Sequence, residues 1–488
     1  MLAELAYLNW LAGEELTRQQ NVQQARDYYA GEHELSLTDR QREFLGIKSG
    51  GRFAANYCET VVNALVERLI VTGLQSQNPE LAGWAGDTWL ANRMDGMQGD
   101  VHQAAVRDGE AFVMVDWDVD QRRPRFTFHP RYVSSQAGGD GFGCRAFYPN
   151  DDYRLPMLYA TKRWTESYEA APSTAGLRPS AQDATREETR QRLTVYFPDR
   201  VEKYVLATTG TKFREAGWQP FADEDGGVWP LPWVDGTGAP LGIPVVHFKN
   251  PDLRSEIWNA IPLQDALNKA LLDLLAGQDV SGFRIFFAKG FFATTDGLPP
   301  ASSGSNYLRL APGQIIGTPE QNAGFEPIDP PTLDPMLNVF WAMVLVLAQT
   351  TDTPASRFQL TRQVASAESQ KESEGPLLAK GRNRQVGFGN SWEDMYAIAR
   401  KLQNLYGAEQ VDELAGLETT WAQLETRDTL AHIEELALKR EKLQVPLPQV
   451  WKEAGYSPED IEGMLASDEY QSRLRMLRMG LADEEPAG

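Results

Sequence analysis

The sequence contains few of the residues from which reactive centres are built. Among its 488 residues are two cysteines, Cys58 and Cys144, and five histidines. The cysteines lack the spacing of metal ligands, and no histidine stands in a zinc motif such as HExxH. A single disulfide remains one alternative, but we expect two ordinary thiols in a reducing compartment, and no metal or cofactor. We expect His247 in "PVVHF" to be a strand histidine with a satisfied hydrogen-bond partner.

Positive charge is also scarce. Lysine and arginine number 47 against 68 aspartates and glutamates, which gives a formal net charge of −21. High-affinity binding to nucleic acid needs clustered cations that displace counterions from the phosphates. The composition therefore argues against a tight nucleic-acid binder, but it is compatible with a protein that lets nucleic acid pass without holding it.

Long hydrophobic runs are absent as well. The longest, Met336–Ala348, is interrupted only by Asn338, and it is shorter than the ~20 residues that a membrane span needs. Its flanks carry Asp334 and Asp352 instead of lysine or arginine. The N-terminal stretch has no basic region and no small-residue cleavage site, so we expect no signal peptide. These features predict an intracellular protein without a membrane span.

Motifs of nucleotide and metal chemistry are missing or weak. There is no GxxxxGK[ST] phosphate loop, and "GTGAPLG" (236–242) precedes a predicted strand, whereas a dinucleotide motif follows one. In "DWDVD" (116–120), alternation places Asp116, Asp118 and Asp120 on one face of a strand. We interpret these carboxylates as a solvated strand end, with a metal cluster as the alternative. The balance favours a structural or interaction protein.

The order of periodic segments predicts a helix-rich α+β fold. Helical spacing comes first, and strands with alternating apolar residues follow, which indicates a mostly antiparallel sheet. The predicted helices are 3–30, 53–71 and 79–108, and the predicted strands are 110–118, 124–130, 157–164, 193–197, 200–207 and 244–248. Residues 165–190 are rich in Ala, Ser, Thr, Pro and charge, and we expect a mobile surface insertion there.

Two apolar helical segments enclose a small module rich in glycine and proline. The first segment, 259–277, has one apolar face and one polar face, and the polar face holds Asp265, Asn268, Lys269 and Asp273. The second is the apolar run "MLNVFWAMVLVLAQTT" (336–351). Between them, "FRIFFAKGFFATT" and "NYLRLAPGQIIGT" predict strands. The order predicts a helical hairpin with a small domain at its tip.

The chain from residue 366 onward is predicted to be helical almost to its end. Gly375 and Pro376 stand inside this pattern and should kink or end the helix. A new helical segment is predicted from 390, with Asn390 or Ser391 as its cap. The tail "LPQVWKEAGYSPEDIEGML" predicts two short helices around a Gly-Tyr-Ser-Pro turn.

Four stretches, taken in order, resemble the portal proteins of tailed bacteriophages, the head-to-tail connectors through which DNA is packaged. They are "YYAGEH" (28–33) with "NYCETVVNALVERLIVTGL" (56–74), "AIPLQDALNKALLDLL" (260–275), "ASRFQLTRQVASAESQKESEGPLLAKGRNRQVGFGNSWEDMYAIARKL" (355–402) and "PQVWKEAGYSPEDIEGM" (448–464). None is a strict catalytic signature. The combination and its order carry the resemblance across nearly the whole chain.

The resemblance implies a portal-type subunit with wing, two-helix stem, small α/β clip and helical crown. The implied parts are the wing at 1–250, the first stem helix at 251–280, the clip at 281–331, the second stem helix at 332–351, the tunnel loop at 352–365, a kinked long helix with the return to the wing at 366–407, and the crown and C-terminal region at 408–488. In this family the subunits form a closed ring, usually of twelve, around a DNA channel.

The implied function is a non-enzymatic channel at one capsid vertex for DNA packaging, retention and ejection. The implied partners are further copies of the chain, double-stranded DNA passing non-specifically, the terminase large subunit, the scaffold and major capsid proteins, and a head-completion or adaptor protein. Assembly in the host cytoplasm and a final place in the virion follow, with no membrane. Two alternatives remain: another oligomeric virion or capsid structural protein, and a metal-dependent nuclease that uses "DWDVD".

The same parts supply the candidate functional residues. Those of the tunnel loop are Arg357, Phe358, Gln359, Leu360, Thr361, Arg362 and Gln363. Those of the stem are Asp265, Lys269, Asp273, Phe340 and Trp341, those of the clip are Arg284, Phe286 and Lys289, and the helix kink is Gly375 and Pro376. Arg357 and Arg362 either touch the DNA backbone or form salt bridges between subunits. The apolar surface of the second stem helix needs neighbouring copies to cover it.

Overall fold

The computed structural model describes residues 12–33, 54–133, 143–170, 186–206, 218–222, 227–282, 285–289, 324–328, 332–358, 367–425, 429–456, 458–467, 470–472 and 475. The chain divides into two compact units, Met1–Ala422 and Gln423–Gly488. Within the ranges given above, no helix is long and apolar enough to cross a membrane. The mixture of helices and sheets confirms the predicted α+β class.

The N-terminal part contains helices α1 (Ala12–Tyr29), α2 (Tyr57–Val66), α3 (Pro79–Ala91) and α4 (Met94–Asp108), with strand β1 (Val71–Gln75) between α2 and α3. The helix predicted over 53–71 is therefore too long, because the chain extends into β1 after Val66. The helix predicted over 79–108 is broken at Asn92. The Asn92 side chain accepts a hydrogen bond from the Phe126 backbone at 2.9 Å and donates one to the Pro124 carbonyl at 3.0 Å, which ties the end of α3 to a strand.

Among the described residues, nine strands follow α4 before the helical hairpin. They are β2 (Glu110–Asp118), β3 (Arg123–Pro130), β4 (Cys144–Phe147), β5 (Tyr159–Ala170), β6 (Arg186–Tyr196), β7 (Arg200–Leu206), β8 (Trp218–Pro220), β9 (Leu231–Pro232) and β10 (Val245–Lys249). An antiparallel sheet has the order β10-β2-β3, and a larger one has the order β4-β5-β6-β7-β8, with β9 paired to β7. All pairings in both sheets are antiparallel, as predicted.

The predicted insertion 165–190 is partly strand. β5 continues to Ala170 and β6 begins at Arg186, and the two pair from Ala160↔Tyr196 to Ala170↔Arg186. The segments "TESYEA" and "REETRQ" are mostly polar on both faces, so their alternation carries no apolar signal of a strand. Residues 171–185 lie outside the described residues, and the predicted mobility there stays a prediction.

The helical hairpin is formed by α5 (Ile261–Gly282) and α6 (Asp334–Thr350), with β11 (Ile285–Lys289) and β12 (Gly324–Ile328) between them. β11 and β12 pair antiparallel. β11 lies in the first stretch predicted as strand. The partner strand β12 falls in a segment with Gly324 and Pro327 that gave no strand signal, and the second predicted stretch, "NYLRLAPGQIIGT", lies outside the described residues.

The long helix α7 (Ala367–Tyr406) is continuous for 40 residues and contains Pro376. The predicted end at Gly375–Pro376 and the predicted new start at 390 are therefore wrong, and a kink at Pro376 stays a prediction. Ser391 does not cap a helix; its hydroxyl donates to the carbonyls of His247 at 3.0 Å and Gly387 at 3.3 Å. Core packing explains the continuity, because Phe388, Trp392 and Tyr396 are fully buried in one core with the β10-β2-β3 sheet and the N-terminal helices.

After α7, strand β13 (Glu418–Trp421) pairs antiparallel with β1 and closes the first unit. The second unit contains α8 (Thr429–Leu443), α9 (Leu447–Glu453) and α10 (Pro458–Ala466). The two short helices predicted in the tail are α9 and α10. The turn between them contains Gly455 at φ 96°, a conformation that favours glycine.

Candidate functional site

The base of the helical hairpin, together with the chain segment that leaves it, holds the densest set of predicted functional residues. The buried sides of α5 and α6 face each other and the core through Leu267 and Leu272 from α5 and Phe340, Val344 and Leu347 from α6. Phe340 also contacts Trp341, with ring centroids 5.4 Å apart, and lies 6.5 Å from the Tyr57 ring in α2. Phe340 and Trp341 therefore belong to the packing of the hairpin within one subunit.

The outward side of α6 is apolar and uncovered. Val339 is 51% exposed, Val346 47% and Leu345 43%, although each lies in the most apolar helix of the chain. Val339 and Val346 are seven residues apart and so occupy the same side of the helix. A free subunit leaves this apolar stripe in water.

The outward side of α5 is polar instead. Asp265, Lys269 and Asp273 are exposed at four-residue intervals, as predicted. The placement of Asn268 on this polar face was wrong. Asn268 is fully buried, donates to His33 Nε2 at 2.7 Å and accepts from the Ala55 backbone at 2.9 Å.

Buried Gln264 continues the polar contact of α5 with the N-terminal helices. Its carboxamide oxygen accepts from the Tyr57 backbone at 3.0 Å, and its amide group donates to the Ala55 carbonyl and to Asn268. Beside it, the Tyr28 hydroxyl donates to Asp265 at 2.7 Å. Burial and this carboxylate raise the pKa of Tyr28. Side-chain amides of α5 therefore satisfy backbone groups at the start of α2.

The chain turns sharply where it leaves α6. Asp352 adopts φ 52°, and the Thr353 backbone donates to the Ala348 carbonyl at 2.9 Å. A short 3-10 turn at Ala355–Arg357 follows. Arg357 lies 3.2 Å from Glu67, and Phe358 is buried with its ring 5.7 Å from Tyr57. The first half of the predicted tunnel loop is thus fixed to α2 and its end, while Gln359, Leu360, Thr361, Arg362 and Gln363 lie outside the described residues.

A buried cluster of charges connects this turn to α7. Lys380 Nζ lies 2.7 Å from Glu256 Oε1, 2.7 Å from the Thr351 carbonyl oxygen and 3.4 Å from Asp352 Oδ2. Arg384 donates to Glu256 at 2.9 Å and to Asn250 at 2.6 Å. Burial acts to raise the pKa of Glu256, but the two cations outweigh it and the pKa is lowered. Glu256 is therefore an ionised carboxylate at the foot of α5.

A second ion pair lies where the chain re-enters helix. Arg68, which follows α2 closely, contacts Glu374 of α7 at 3.1 Å and 3.4 Å through its two terminal nitrogens. The neighbouring residue Glu67 is the partner of Arg357. The adjacent residues Glu67 and Arg68 thus form ion pairs with the chain before and after segment 359–366.

The structure places the remaining candidates apart from this cluster. Phe286 and Lys289 lie on β11, opposite Pro327 and Gly324. Arg284 lies outside the described residues. Gly375 and Pro376 lie inside α7, one turn before Lys380. Their predicted roles in the clip and in the helix kink stay predictions.

Sequence reasoning missed Glu256, Lys380, Arg384 and Asn250. The contacts of Lys380 and Arg384 to Glu256 and Asn250 join residues 124 to 134 positions apart, so no local spacing reveals them. The one local signal is a charged residue on the buried side of a helix. Arg384 has that position in α7, seven residues after buried Leu377 and four residues before buried Phe388.

Two of the three carboxylates of "DWDVD", those of Asp116 and Asp118, have structural partners. β2 ends at Asp118, so Asp120 lies in the following turn and not on a common strand face as predicted. Asp118 accepts from the backbones of Asp120 and Gln121 at 3.1 and 2.9 Å, and Asp116 lies 3.5 Å from Arg125. In the described part of the chain, no group of three or more His, Cys, Asp or Glu side chains is placed to hold a metal ion.

His247 and the two cysteines behave as predicted. His247 is buried, with Nε2 3.0 Å from Glu110 Oε2 and Nδ1 2.8 Å from the Tyr148 hydroxyl. Glu110 also contacts Arg131 at 2.9 Å; burial opposes its ionisation, but Arg131 and His247 lower its pKa to about 2. Cys58 and Cys144 are free and buried, and burial raises the pKa of each thiol to about 12.

Comparison with known families supplies an independent result. The family model described as phage portal protein, SPP1 Gp6-like, matches residues 173–472. The match covers more than half of the chain and includes the hairpin, α7 and the tail helices. A search of curated proteins gave no match.

Proposed function

Because the chain belongs to the SPP1 Gp6-like family of phage portal proteins, we propose that it assembles into a closed ring whose central channel admits double-stranded DNA. The ring stands at one vertex of the capsid, where it serves packaging, retention and ejection of the genome. Twelve subunits are the expected number. The protein itself is a structural conduit, and the energy for packaging comes from a separate terminase.

The proposed parts follow the predicted boundaries. Residues 1–250 form the wing, α5 and α6 form the stem, and the module at 281–331 forms the clip. The turn from Thr351 to Phe358 leads into the tunnel loop (352–365), and α7 follows this loop. Residues 408–488 form the crown and C-terminal region.

The observation that carries this proposal is the uncovered apolar side of α6. Val339, Leu345 and Val346 are nearly half exposed in a helix whose opposite side is fully packed. A helix that is apolar on both sides needs cover on both sides. In a ring, an apolar surface of the neighbouring copy provides that cover, so we assign the stripe to the contact between subunits.

The charge of the chain supports passage of DNA without tight binding. A net charge of −21 per subunit gives few cations for phosphate contacts, and the exposed stripe of α5 has two aspartates around one lysine. DNA affinity depends on the number of neutralised phosphates. Where this stripe of α5 faces the channel, its net negative charge weakens the affinity of the channel wall for the DNA duplex.

The proposed partners are those of a portal vertex. They are the terminase large subunit, the scaffold and major capsid proteins, and a head-completion or adaptor protein. Assembly occurs in the host cytoplasm, and the finished ring belongs to the virion. No enzymatic activity and no cofactor are assigned to the chain.

Native mass spectrometry and electron microscopy of the purified protein test the proposal together. We expect a closed ring, with a mass close to twelve times 54.5 kDa and a central hole as wide as a DNA duplex. A shell, a sheet or a stable monomer at high concentration would contradict it and would favour another capsid structural role.

A further inference from the structure

The ammonium group of Lys380 connects the chain just before α5 and just after α6 to the long helix α7. Glu256 precedes α5, Thr351 and Asp352 follow α6, and Lys380 contacts all three. The side chains of Lys380 and Glu256 are only 15% and 10% exposed, so water and salt screen this ion pair weakly. The residues just before α5 and just after α6 are thus bonded to one residue of α7.

Lys380 also acts at the point where the chain changes direction. Asp352 has a backbone conformation that is uncommon for any residue other than glycine, asparagine or aspartate, and it persists where surrounding contacts fix it. Lys380 binds the carbonyl group directly before this residue and lies near its carboxylate. The Thr351 hydroxyl, which donates to the Leu347 carbonyl at 2.8 Å, is buried at the same turn.

We propose that Lys380 is a positioning residue that fixes the direction in which the tunnel loop leaves the stem. The assignment of that loop to the channel rests on the proposed function, whereas the fixing of Thr351–Phe358 does not. Without the ammonium group, the Asp352 turn loses its contact to α7 and the segment up to Phe358 gains motion. The residues just before α5 and just after α6 then lose their shared contact to α7.

Arg384 supplies a matched control. It lies one turn after Lys380 on α7 and donates to the same carboxylate, Glu256, but its Nε donates to Asn250 and not to the Asp352 turn. Both variants, Lys380→Met and Arg384→Met, remove one cation from Glu256. A role in stability alone predicts similar effects of the two, whereas a positioning role predicts different effects on the turn.

A spin label at position 356 measures this difference. Ser356 is exposed in the 3-10 turn, and Cys58 and Cys144 are buried with thiols of raised pKa, so a Ser356→Cys variant takes the label selectively. In the purified full chain we expect Lys380→Met to convert the spectrum from one dominant slow component to a mixture with a large mobile component. Arg384→Met should keep the slow component.

Equal spectra for the two variants, whether both slow or both mobile, would overturn the proposal. If Lys380→Met does not fold, Asp352→Asn is the second variant, because it removes only the half-exposed carboxylate near Lys380. Its spectrum should show a mobile component smaller than the one expected for Lys380→Met. An unchanged spectrum for Asp352→Asn would also overturn the proposal. In phage particles, Lys380→Met should reduce retained DNA relative to Arg384→Met. If the purified protein forms no ring, the portal function fails, but the spin-label result still decides the role of Lys380.

Discussion

Helices α5 and α6 lie side by side in the hairpin, yet they divide polar and apolar side chains in opposite ways. α5 buries two amides, Gln264 and Asn268, and exposes a charged stripe. α6 buries only apolar side chains, and it exposes a further apolar stripe. The comparison separates two surfaces: the polar side of α5 suits water, whereas α6 packs on its own core and leaves a second apolar side uncovered in the single subunit.

The largest expected effect is on assembly. Val346→Asp places a carboxylate on the exposed stripe of α6, where an unpaired charge is costly once a neighbouring subunit covers it. We expect subunits that fold but form no ring, measured by native mass. The control is Asp273→Asn on the exposed stripe of α5, which should still assemble. Rings of normal mass from Val346→Asp would show that the stripe is not at the subunit contact.

The next effect is on the stability of the subunit. Phe340→Ala removes a buried ring from the inner side of α6 and should lower the free energy of unfolding by about 3–5 kcal/mol. Leu345→Ala, on the exposed side, should change it by less than about 0.5 kcal/mol in a dissociated subunit. Denaturant unfolding of subunits kept apart by Val346→Asp measures both. Similar losses for the two variants would break the distinction between the two sides of α6.

A smaller loss is expected from the buried amide of α5. Gln264→Ala leaves the backbone groups of Ala55 and Tyr57 without their partners and should cost about 1–3 kcal/mol of unfolding free energy. Asp273→Asn is the control on the outward side of α5 and should have a small effect. If Gln264→Ala proves neutral, the polar contact between α5 and the start of α2 does not stabilise the fold.

The smallest effect is a difference in pH dependence. Burial lowers the pKa of His33, the partner of Asn268, below its ordinary value of 6.5. The unfolded chain therefore binds a proton more readily than the folded one, and stability present above pH 6.5 is lost as the pH falls below it. His33→Gln keeps an acceptor for Asn268 and should unfold with a shallower loss between pH 7 and pH 5. An unchanged pH slope would contradict this role of His33.

Local sequence patterns predicted many of the elements. β2 and β3, the antiparallel pairing, both helices of the hairpin and the two short tail helices follow from these patterns. They failed where local signals disagreed with distant packing. Pro376 and the polar segment around 390 predicted a break in α7, but Trp392 and Tyr396 are buried in the core of the first unit and keep the helix continuous.

The candidate site was predictable only in part. The exposed charges of α5 and the apolar excess of α6 follow from composition and spacing. The contacts of Lys380 do not, because an ion pair between residues 124 positions apart leaves no local trace. Asn268 was misplaced for a related reason: an amide that meets a histidine and a backbone group from distant segments is indistinguishable in sequence from an amide in water.

The pairing of β1 with β13 has a consequence for the synthesis of the chain. Thr72 and Thr420 share this two-stranded sheet although they are 348 residues apart. At about 5–20 residues per second, β1 waits roughly 20–70 s for its partner to be translated. During that interval its backbone groups form an open strand edge, a known site of misassociation between nascent chains. Truncation before Glu418 would make that interval permanent, so aggregation of such a fragment is expected even though every residue through the end of α7 is present.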